Sequence, residues 1–410
     1  MKHHQRYFPL YDRGDTGRLR PAFATFSNIV PKQDDVVRSG NERVIKARLD
    51  DARYFFAEDL KVPLQVYAER LKDVIFHKDL GTSWEKVRRF TVVAEALAGI
   101  IAPHKLDKVR QASLLCKADL NSLMVGELPE LQGIMGREYA MRQGIDPEVA
   151  GAIREHYLPA SADDALPSGV IGDIVGMADR IDTICGCFGM VPTGTSDPYG
   201  LRRQTIAIEN ILIAKGYRIS ISRLVDTALE ELSGKLKRPA GEVKEDVMSF
   251  FANRFAYILQ ARGITGDVID AVIGTFDDPV DTYERARAIS EVRGEPWFVS
   301  VCAASKRVEN ILKKVESKGE VDEGLFVQEE ERRLFSAYLT VRDDFRAKAK
   351  QGDYAHALRL LAGLKEPVDA FFDKVLVMID DEPVRNNRIS LLSRLVGLFD
   401  QVARFSRISA

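Results

Sequence analysis

The sequence lacks long apolar runs and has few cysteines. No stretch approaches the roughly 20 apolar residues that a membrane-spanning helix needs, and the start, MKHHQRYFPLYDR, is polar and aromatic, unlike a secretory signal. The four cysteines, Cys116, Cys185, Cys187 and Cys302, are too scattered for a disulfide framework, and the single C-x-C motif has no second pair for a zinc site. These absences predict a reduced, cytoplasmic protein without a membrane partner.

The chain also lacks an excess of charge of either sign. Its formal net charge is -2 over 410 residues, so bulk electrostatics does not indicate nucleic-acid binding, and any RNA affinity must come from local basic patches. With 45% hydrophobic and 29% charged residues, the composition is that of a globular protein with substantial cores. We expect two or three domains.

Local signatures of catalysis are missing as well. Neither the phosphate-binding pattern G-x-x-x-x-G-K-[ST] nor a strand-linked G-x-G-x-x-G is present, and G-x-S-x-G and H-E-x-x-H are absent too. Many active sites have no local signature, so this is modest evidence. It nevertheless disfavours an enzyme that uses ATP on its own.

The first sixty residues differ in pattern from the rest. HQRYFPL and RPAFATFSNIV are short aromatic and β-branched runs around the turn-rich DRGDTG, which predicts two strands and a loop. From Asn41 the apolar spacing becomes helical, and Pro63 ends that helix or an extension of it. The helix is rich in arginine from Arg43 to Arg53, a face that could contact RNA or another protein. Asp50 and Asp51 leave an internally salt-bridged face equally open.

A helical block is predicted from about Trp84 to Ala214. Its first helix has Ser83 as a candidate N-cap and one apolar stripe: Val87, Phe90, Ala94, Leu97 and Ile101. Further helices are predicted at Lys108 to Val125, Glu130 to Gln143, Asp146 to Tyr157, Val170 to Cys187 and Pro198 to Lys215.

A second helical region follows Gly216 and is broken by loops at KLKRPAGE, VRGEPW and SKGEVDEG. The predicted fold is therefore mainly α. We predict a small mixed α/β segment at 1–80, a helical domain at 81–216, a helical connecting region at 217–296 and a last helical domain at 297–410.

Four strings of the helical block resemble the HD superfamily of metal-dependent phosphohydrolases: RRFTVVAEALA, QASLLCKADL, IREHY and MADRID. In that family a His from the first helix, a His-Asp pair and a distant Asp gather around a metal. Here Arg89 stands at the first position, and either Cys116-Lys117 or Ala118-Asp119 stands at the pair. The other positions that match are His156, Asp179 and Asp182.

This degenerate pattern predicts that no metal binds. Arg cannot lose its proton, and Lys does so only when strongly perturbed, so Arg89 and Lys117 should repel a divalent ion. The resemblance alone would imply a nucleotide phosphohydrolase, which is the alternative function. For Asp179 and Asp182, which are one helical turn apart, a simpler interpretation is pairing with a nearby arginine: Arg180, Arg202 or Arg203.

A longer series of strings resembles the β subunit of bacterial-type glycyl-tRNA synthetases. It includes HQRYFPL, GNERVIKARLDDARYFF, LGTSWEKVRRF, CKADLNSLMVGELPELQGIMGREYA, PTGTSDPYGLRR, KRVENILKK, VDAFFDKVLVM and RNNRISLLSRL, in consistent order over nearly the whole chain. The resemblance implies a degenerate HD-like domain at 81–216 and an α-helical anticodon-binding domain at 297–410. In that family the β chains are longer at the amino end.

The resemblance also implies partners. In that family a separate α subunit carries the catalytic core and uses glycine, ATP and Mg²⁺, while the β subunit mainly recognises tRNA. We therefore expect this chain to bind tRNA(Gly) and the α subunit but no DNA, to hold no cofactor of its own and to lack catalytic residues. A scaffold that docks only another protein is a third hypothesis.

Candidate tRNA contacts lie on two helices of the last domain. On the helix that contains KRVENILKK, a predicted buried stripe consists of Val301, Ala304, Val308 and Ile311, and a second face carries Lys306, Arg307, Asn310 and Lys313. At the start of the last long helix we expect contacts from Arg385, Asn387 and Arg388, although Asn387 could equally be the N-cap.

The HD-like cleft supplies a further set of candidate tRNA contacts. Guanidinium groups match phosphate oxygens well, so cations that replaced metal ligands could hold RNA backbone: Arg88, Arg89, Lys117, Arg202 and Arg203. A solvated charged face is as good an interpretation for any one of them. Phe371 and Phe372 could offer a stacking surface, but their apolar neighbours favour the core.

Overall fold

A computed structural model of the chain describes residues 7–12, 15–28, 30, 32–161, 164–190, 197, 199–312 and 319–409. It divides into two units, one up to Val62 and one from Pro63 onward. The fold is mainly α, as predicted, with two small antiparallel sheets.

The first unit contains a hairpin and one long helix. Strand β1 (Phe8–Asp12) pairs antiparallel with β2 (Asp15–Ala24), with Phe8 opposite Ala24. Two strands are found here, as predicted, but β2 begins at Asp15, within the predicted loop DRGDTG, and ends at Ala24, before the end of the predicted run RPAFATFSNIV. Helix α1 (Asp34–Asp59) begins before Asn41, and Asp34 and Asp35 in its first turn favour the positive end of the helix dipole.

The second unit begins with a block of short and medium helices that includes a two-stranded sheet. Its elements are α2 (Leu64–Glu69), β3 (Ile75–His77), β4 (Gly81–Thr82), α3 (Ser83–Ile101), α4 (Leu106–Leu115), α5 (Leu123–Glu127), α6 (Ile134–Arg142), α7 (Pro147–Glu155), α8 (Val170–Phe188), α9 (Leu201–Lys215), α10 (Ile221–Glu231) and α11 (Ala240–Ala261). Seven further helices complete the described part: α12 (Gly266–Val272), α13 (Pro279–Val292), α14 (Pro296–Leu312), α15 (Glu329–Lys350), α16 (Tyr354–Leu360), α17 (Lys365–Lys374) and α18 (Glu382–Phe399).

Helix α3 shows how the local sequence sets one of these elements. The predicted stripe is correct: Val87, Phe90, Ala94 and Leu97 are fully buried. Its N-cap is Thr82 and not Ser83, because the Thr82 hydroxyl accepts from the Glu85 N–H while the Glu85 carboxylate accepts from the Thr82 N–H, at 2.7 Å. This reciprocal capping box satisfies two backbone donors at the helix start.

The helix predicted from Lys108 to Val125 is interrupted. Helix α4 ends at Leu115, a 3-10 turn covers Ala118–Asn121, and α5 begins after Ser122. Ser122 has an extended backbone and its hydroxyl accepts from the Val125 N–H, so it caps a new helix instead of continuing the old one. The break places the Lys117 to Asp119 segment beside α8.

Two hydrophobic cores fill the second unit. The first runs from Leu71 to Phe251 and surrounds α8, and the second runs from Phe255 to Ile408. The region 217–296 contributes to both, because α10 and most of α11 pack in the first core while α12 and α13 pack in the second. The boundaries predicted from sequence at 216 and 296 stay predictions.

The four cysteines form no disulfide with one another, and Cys116, Cys185 and Cys302 are buried. A buried free cysteine packs as a small hydrophobic residue. Among the helices in the described ranges, none combines the length and apolarity that a bilayer crossing requires.

A close helix contact positions the centre of the first core. Gly176 on α8 faces the end of α7, where an added Cβ would lie 2.9 Å from the His156 carbonyl oxygen and 3.3 Å from its Cα. Backbone atoms cannot move aside as a flexible side chain can, so the position requires glycine. Gly176 therefore allows the end of α7 to pack closely on α8, which places His156 against α8.

We predict opposite effects of two glycine-to-alanine changes. In α7, Gly151 has open space around it, so Gly151→Ala should stabilise the protein by about 0.5–1 kcal/mol through helix propensity. In α8, Gly176→Ala should instead destabilise it by about 1–3 kcal/mol, because the new methyl group overpacks the contact. Urea unfolding measures both values, and an equal gain from both changes would contradict the close-contact argument.

Candidate functional site

Five charged side chains meet between α3, α8 and the turn after α4. Lys86 and Arg89 come from α3, Asp179 and Asp182 from α8, and Lys117 from the turn. Asp179 and Asp182 are separated by about one helical turn, so both carboxylates face α3. We call these five residues the ion cluster.

Arg89 and Asp182 form the deepest pair of the ion cluster. Arg89 Nε and one terminal nitrogen donate to the two Asp182 oxygens at 2.7 and 3.2 Å, and the other terminal nitrogen donates to the Leu80 carbonyl at 3.1 Å. Only 5% and 1% of these two side chains is exposed. Removing one partner would leave a buried unpaired charge, so the pair fixes the packing of α3 on α8.

Two ammonium groups hold Asp179. Lys86 Nζ lies 2.5 Å from Asp179 Oδ1, and Lys117 Nζ lies 2.8 Å from Asp179 Oδ2. Lys86 also donates to the Thr183 hydroxyl at 2.8 Å. Burial by itself raises the pKa of the Asp179 carboxyl, but Lys117 and Lys86 outweigh it and hold that pKa well below its usual range. Asp179 is therefore a carboxylate at neutral pH.

Sequence reasoning missed Lys86. The available signal was its position on the apolar stripe of α3, next to Val87 and one turn before Phe90, where a lysine requires a buried partner. The simpler interpretation of the two aspartates was wrong in its partners. They pair with Lys86, Arg89 and Lys117 from other segments. The guanidinium of Arg180, one of the cations nearest to them along the chain, binds backbone carbonyls instead.

Arg180 is one of those neighbouring cations. Its two terminal nitrogens donate to backbone carbonyls of Gly176, His156, Tyr157, Leu158 and Pro159, at 2.9 to 3.2 Å. Four of these carbonyls belong to the C-cap of α7 and to the loop that follows it, so Arg180 ties this loop to α8. The other predicted cations of the cleft, Arg88, Arg202 and Arg203, are exposed and lie outside the ion cluster.

His156 lies beside the ion cluster with one ring nitrogen unused. Its Nδ1 is 2.8 Å from the Ile153 carbonyl, which can only accept, so Nδ1 carries the proton. Burial and the nearby Lys117 hold the pKa of His156 well below its usual value. The ring is therefore neutral, and Nε2 is an acceptor without a hydrogen-bond partner among the described residues.

Ala118 and Asp119 have structural roles. Ala118 is fully buried, and Asp119 Oδ2 accepts from the backbone N–H groups of Gly133 and Gly136, at 2.6 and 2.9 Å. Asp119 thereby secures the start of α6 and makes no ion pair with the cluster within the described ranges. Its burial raises the pKa of the Asp119 carboxyl to about 6.

The donor chemistry of the ion cluster does not fit a metal ion. Asp179 and Asp182 are the two carboxylates of the cluster, and three cations already neutralise them. A divalent ion would have to displace buried Lys and Arg groups that cannot act as ligands. In the described ranges, no group of three or more His, Cys, Asp or Glu side chains is arranged to hold a metal.

Helix α14 in the last region presents an exposed polar face. The predicted stripe is confirmed, since Val301, Ala304 and Val308 are buried and Ile311 packs against the core. On the opposite face Lys306, Arg307 and Asn310 are exposed, and the Arg307 guanidinium lies 5.4 Å from the Phe372 ring centroid. Lys313, predicted with them, lies outside the described residues.

The predicted contacts on α18 were wrong for two of three residues. Asn387 and Arg388 are each only 4% exposed. Asn387 exchanges two hydrogen bonds of 2.8 Å with the backbone of Asp322, and Arg388 binds both Glu331 oxygens and the Leu376 carbonyl. These polar groups are therefore used inside the fold. Asp381, and not Asn387, is the N-cap of α18.

Arg385 is half-buried, and one of its terminal nitrogens donates to the Ile379 carbonyl at 2.7 Å. Arg385 therefore stabilises the loop between α17 and α18. An RNA phosphate would have to bind the guanidinium while it keeps this hydrogen bond. Phe371 is fully buried, as the sequence favoured. Phe372 is partly buried and packs edge-to-face against Phe371, at 5.5 Å between ring centroids.

Comparison with known families identifies the chain. The family model described as glycyl-tRNA synthetase beta subunit matches residues 1–274, about two thirds of the sequence. The chain belongs to this family. The model described as DALR anticodon binding domain matches residues 301–403, a range that contains the exposed face of α14.

Curated glycine–tRNA ligase beta subunits are similar over the whole chain. Those of Geotalea uraniireducens and Geobacter metallireducens are each 49% identical over 413 aligned residues, and that of Geotalea daltonii is 46% identical. Each alignment covers 100% of this chain and 60% of the relative. The chain thus spans about 60% of the length of these relatives.

In this member of the family, Asp119 should make stability depend on pH. Its pKa is about 6 in the folded protein, against 3.8 for an unperturbed aspartate, so its contribution is fully present below about pH 4 and is lost as pH rises through 6. Asp119→Asn keeps an oxygen for Gly133 and Gly136. Relative to the variant, the parent protein should lose up to about 3 kcal/mol between pH 4 and 7.

Urea unfolding at several pH values measures this difference. Asp146→Asn is a control of opposite sign, because hydrogen bonding to Lys108 lowers the pKa of Asp146, so its contribution disappears only as pH falls. A difference between the parent protein and Asp119→Asn that stays constant with pH would contradict the assignment.

The buried ion pair between Arg388 on α18 and Glu331 on α15 gives a second prediction. Arg388→Ala should destabilise the chain by about 3–5 kcal/mol, because it leaves Glu331 fully buried without its cation. Arg394→Ala on the same helix is the matched control, since Arg394 lies 3.6 Å from Glu320, which is 95% exposed. It should cost less than about 1 kcal/mol. Equal costs in chemical denaturation would show that Arg388 is not a structural residue.

Proposed function

We propose that this chain is the tRNA-recognition part of a glycine–tRNA ligase β subunit. It binds tRNA(Gly) through the exposed face of α14 and works in the cytoplasm with a separate α subunit. That subunit carries out the glycylation with ATP and Mg²⁺. The proposal rests on one observation above all: Lys306, Arg307 and Asn310 are exposed together inside the range that matches an anticodon-binding domain.

The chemistry of this face suits an RNA loop. Lys306 and Arg307 can neutralise phosphates, and Asn310 offers an amide that can hydrogen-bond the edge of an unpaired base. The Phe372 ring beneath Arg307 limits the positions of the guanidinium, which reduces the entropy lost when it binds a phosphate. Phosphate contacts supply affinity that depends on salt, while the amide supplies base selectivity.

The HD-like region contributes less to the proposed tRNA surface than its number of cations suggests. Arg89 is sealed in its pair with Asp182, and Lys117 is paired with Asp179. Arg88, Arg202 and Arg203 remain exposed and stay candidates for phosphate contacts. We therefore place the main affinity on α14.

Several features support the division of labour between two subunits. The sequence carries neither of the two glycine-rich motifs that cradle nucleotide phosphates, and the relatives are named as beta subunits. Metal-dependent phosphohydrolysis, the alternative function, is disfavoured because Lys86, Arg89 and Lys117 occupy the carboxylate oxygens that a metal would need.

Replacing the α14 face should weaken tRNA binding. In the triple variant Lys306→Gln, Arg307→Gln and Asn310→Ala, two phosphate contacts and one base contact are lost. We expect affinity for glycine tRNA to fall by about 10- to 100-fold. The slope of log affinity against log salt should shrink by about 2. Gel-shift titrations at two salt concentrations measure both quantities.

A double variant tests whether net charge alone explains the loss. Arg287→Gln and Lys350→Gln also remove two exposed cations, but from α13 and α15. This control should leave affinity for glycine tRNA within about twofold of the parent protein. If the control lowers affinity as much as the triple variant, or the triple variant binds normally, α14 is not the tRNA surface.

A further inference from the structure

A cavity of about 290 Å³ opens beside the ion cluster. Its wall includes Lys86, Lys117, His156, Tyr157 and Asp179. Pockets for small ligands begin at about this size. Some of the lining residues make contacts that stabilise the fold. Others are polar groups that could still form hydrogen bonds with a ligand.

Three buried polar atoms on this wall make no hydrogen bond among the described residues: His156 Nε2, the Tyr157 hydroxyl and Asp179 Oδ1. Asp179 Oδ1 has an ion pair with Lys86 instead, at 2.5 Å, so His156 Nε2 and the Tyr157 hydroxyl are the two without any polar partner in the described part of the chain. His156 is 1% exposed, and its Nδ1 is already used by the Ile153 carbonyl, so Nε2 is the ring atom left for a ligand. A buried acceptor without a donor is costly, and in native proteins such an atom usually has a partner.

Lys117 has spare donors at the same place. Its ammonium has three N–H groups, and within the described ranges it meets one carboxylate oxygen, at 2.8 Å, and the Tyr157 ring, at 4.1 Å. The cavity wall as a whole carries three cations, Lys86, Lys117 and Arg180, against the single carboxylate of Asp179. With His156 neutral, the wall is net positive and favours an anion.

Aromatic rings complete the lining. Phe76 and Tyr199 lie on the wall, with 6.0 Å between their ring centroids, and flat faces of this kind suit a stacked base. A second cavity of about 320 Å³ shares Tyr157 and Arg180 with the first and extends to Arg203. The two together provide room beyond one phosphate and its sugar.

We propose that this cavity binds one nucleotide unit without hydrolysing it. Its phosphate lies against Lys117, and an N–H or hydroxyl of its base or ribose donates to His156 Nε2. Asp179 positions Lys117, and the fixed charge of Arg180 adds to the attraction. The unit is either a free mononucleotide or the terminal nucleotide of an RNA strand, since both present a phosphate, hydrogen-bond donors and a flat base.

Calorimetric titration of the whole chain tests this binding. The probes are AMP, GMP, CMP and UMP, with adenosine, ribose 5-phosphate and inorganic phosphate as fragments. We expect at least one mononucleotide to bind with a Kd below about 1 mM. The fragments should each bind at least about tenfold more weakly, because adenosine lacks the phosphate and the other two lack the base.

Two variants connect the binding to named atoms. Lys117→Gln removes the phosphate partner and His156→Phe removes the acceptor but keeps a ring. Each should weaken nucleotide binding by about tenfold. Lys244→Gln is the matched control, because Lys244 also pairs with one aspartate, Asp226 at 2.7 Å, but lies on α11 outside the cavity. It should bind nucleotide as the parent protein does.

Nitrogen-15 spectra of the histidine rings give a readout that does not depend on stability. Nucleotide should move the Nε2 resonance of one histidine, and that resonance should be missing in His156→Phe. If a short single-stranded RNA binds at least about tenfold tighter than mononucleotides, and mononucleotides compete with it, the ligand is an RNA end. Equal affinity for both identifies a free nucleotide.

Three results would overturn the proposal. They are no binding of any mononucleotide or short RNA at about 1 mM, binding that Lys117→Gln and His156→Phe both leave unchanged, and inorganic phosphate binding as tightly as nucleotide. The tRNA proposal is tested by the α14 variants, which leave this cavity intact. Failure of one proposal is therefore distinguishable from failure of the other.

Discussion

The ion cluster between α3 and α8 is the constraint on which the first core depends. A buried charge needs an opposite charge or hydrogen bonds to offset its lost hydration, so Arg89 with Asp182, and Lys86 and Lys117 with Asp179, fix how three segments meet. The same pairing occupies the carboxylates that a metal centre would use. A helical block whose sequence pattern resembles metal-dependent phosphohydrolases is thus held together at its centre by cations of its own.

The described residues separate cations that build the fold from cations that can bind a partner. Arg180 and Arg388 each serve carbonyls or a buried carboxylate and have little exposure. Lys306 and Arg307 are exposed instead, because the apolar stripe of α14 is buried and these two residues lie on its other face. Lys117 combines both roles. Its ammonium pairs with Asp179 and still has N–H donors for a ligand in the cavity.

Much of the fold could be predicted because helical periodicity is a local property. The stripes of α3 and α14 and the strand pair β1 and β2 follow from the spacing of their apolar residues. The break at Ser122 was missed because one capping hydroxyl can outweigh continuous periodicity. Of the candidate site, the positions of Arg89, Lys117, Asp179 and Asp182 were predicted, but Lys86 and the pairing were not.

By itself the sequence determined the mainly helical class, the family and the residues that carry unusual chemistry, since these depend on residue order and spacing. Only the tertiary structure decided which of those residues are available. Arg388 and Lys306 are both basic residues on amphipathic helices. Arg388 is buried against Glu331 of α15, which is distant in sequence, whereas Lys306 is exposed to solvent. Contacts between distant segments set burial, and burial decides whether a charge stabilises the fold or recognises a ligand.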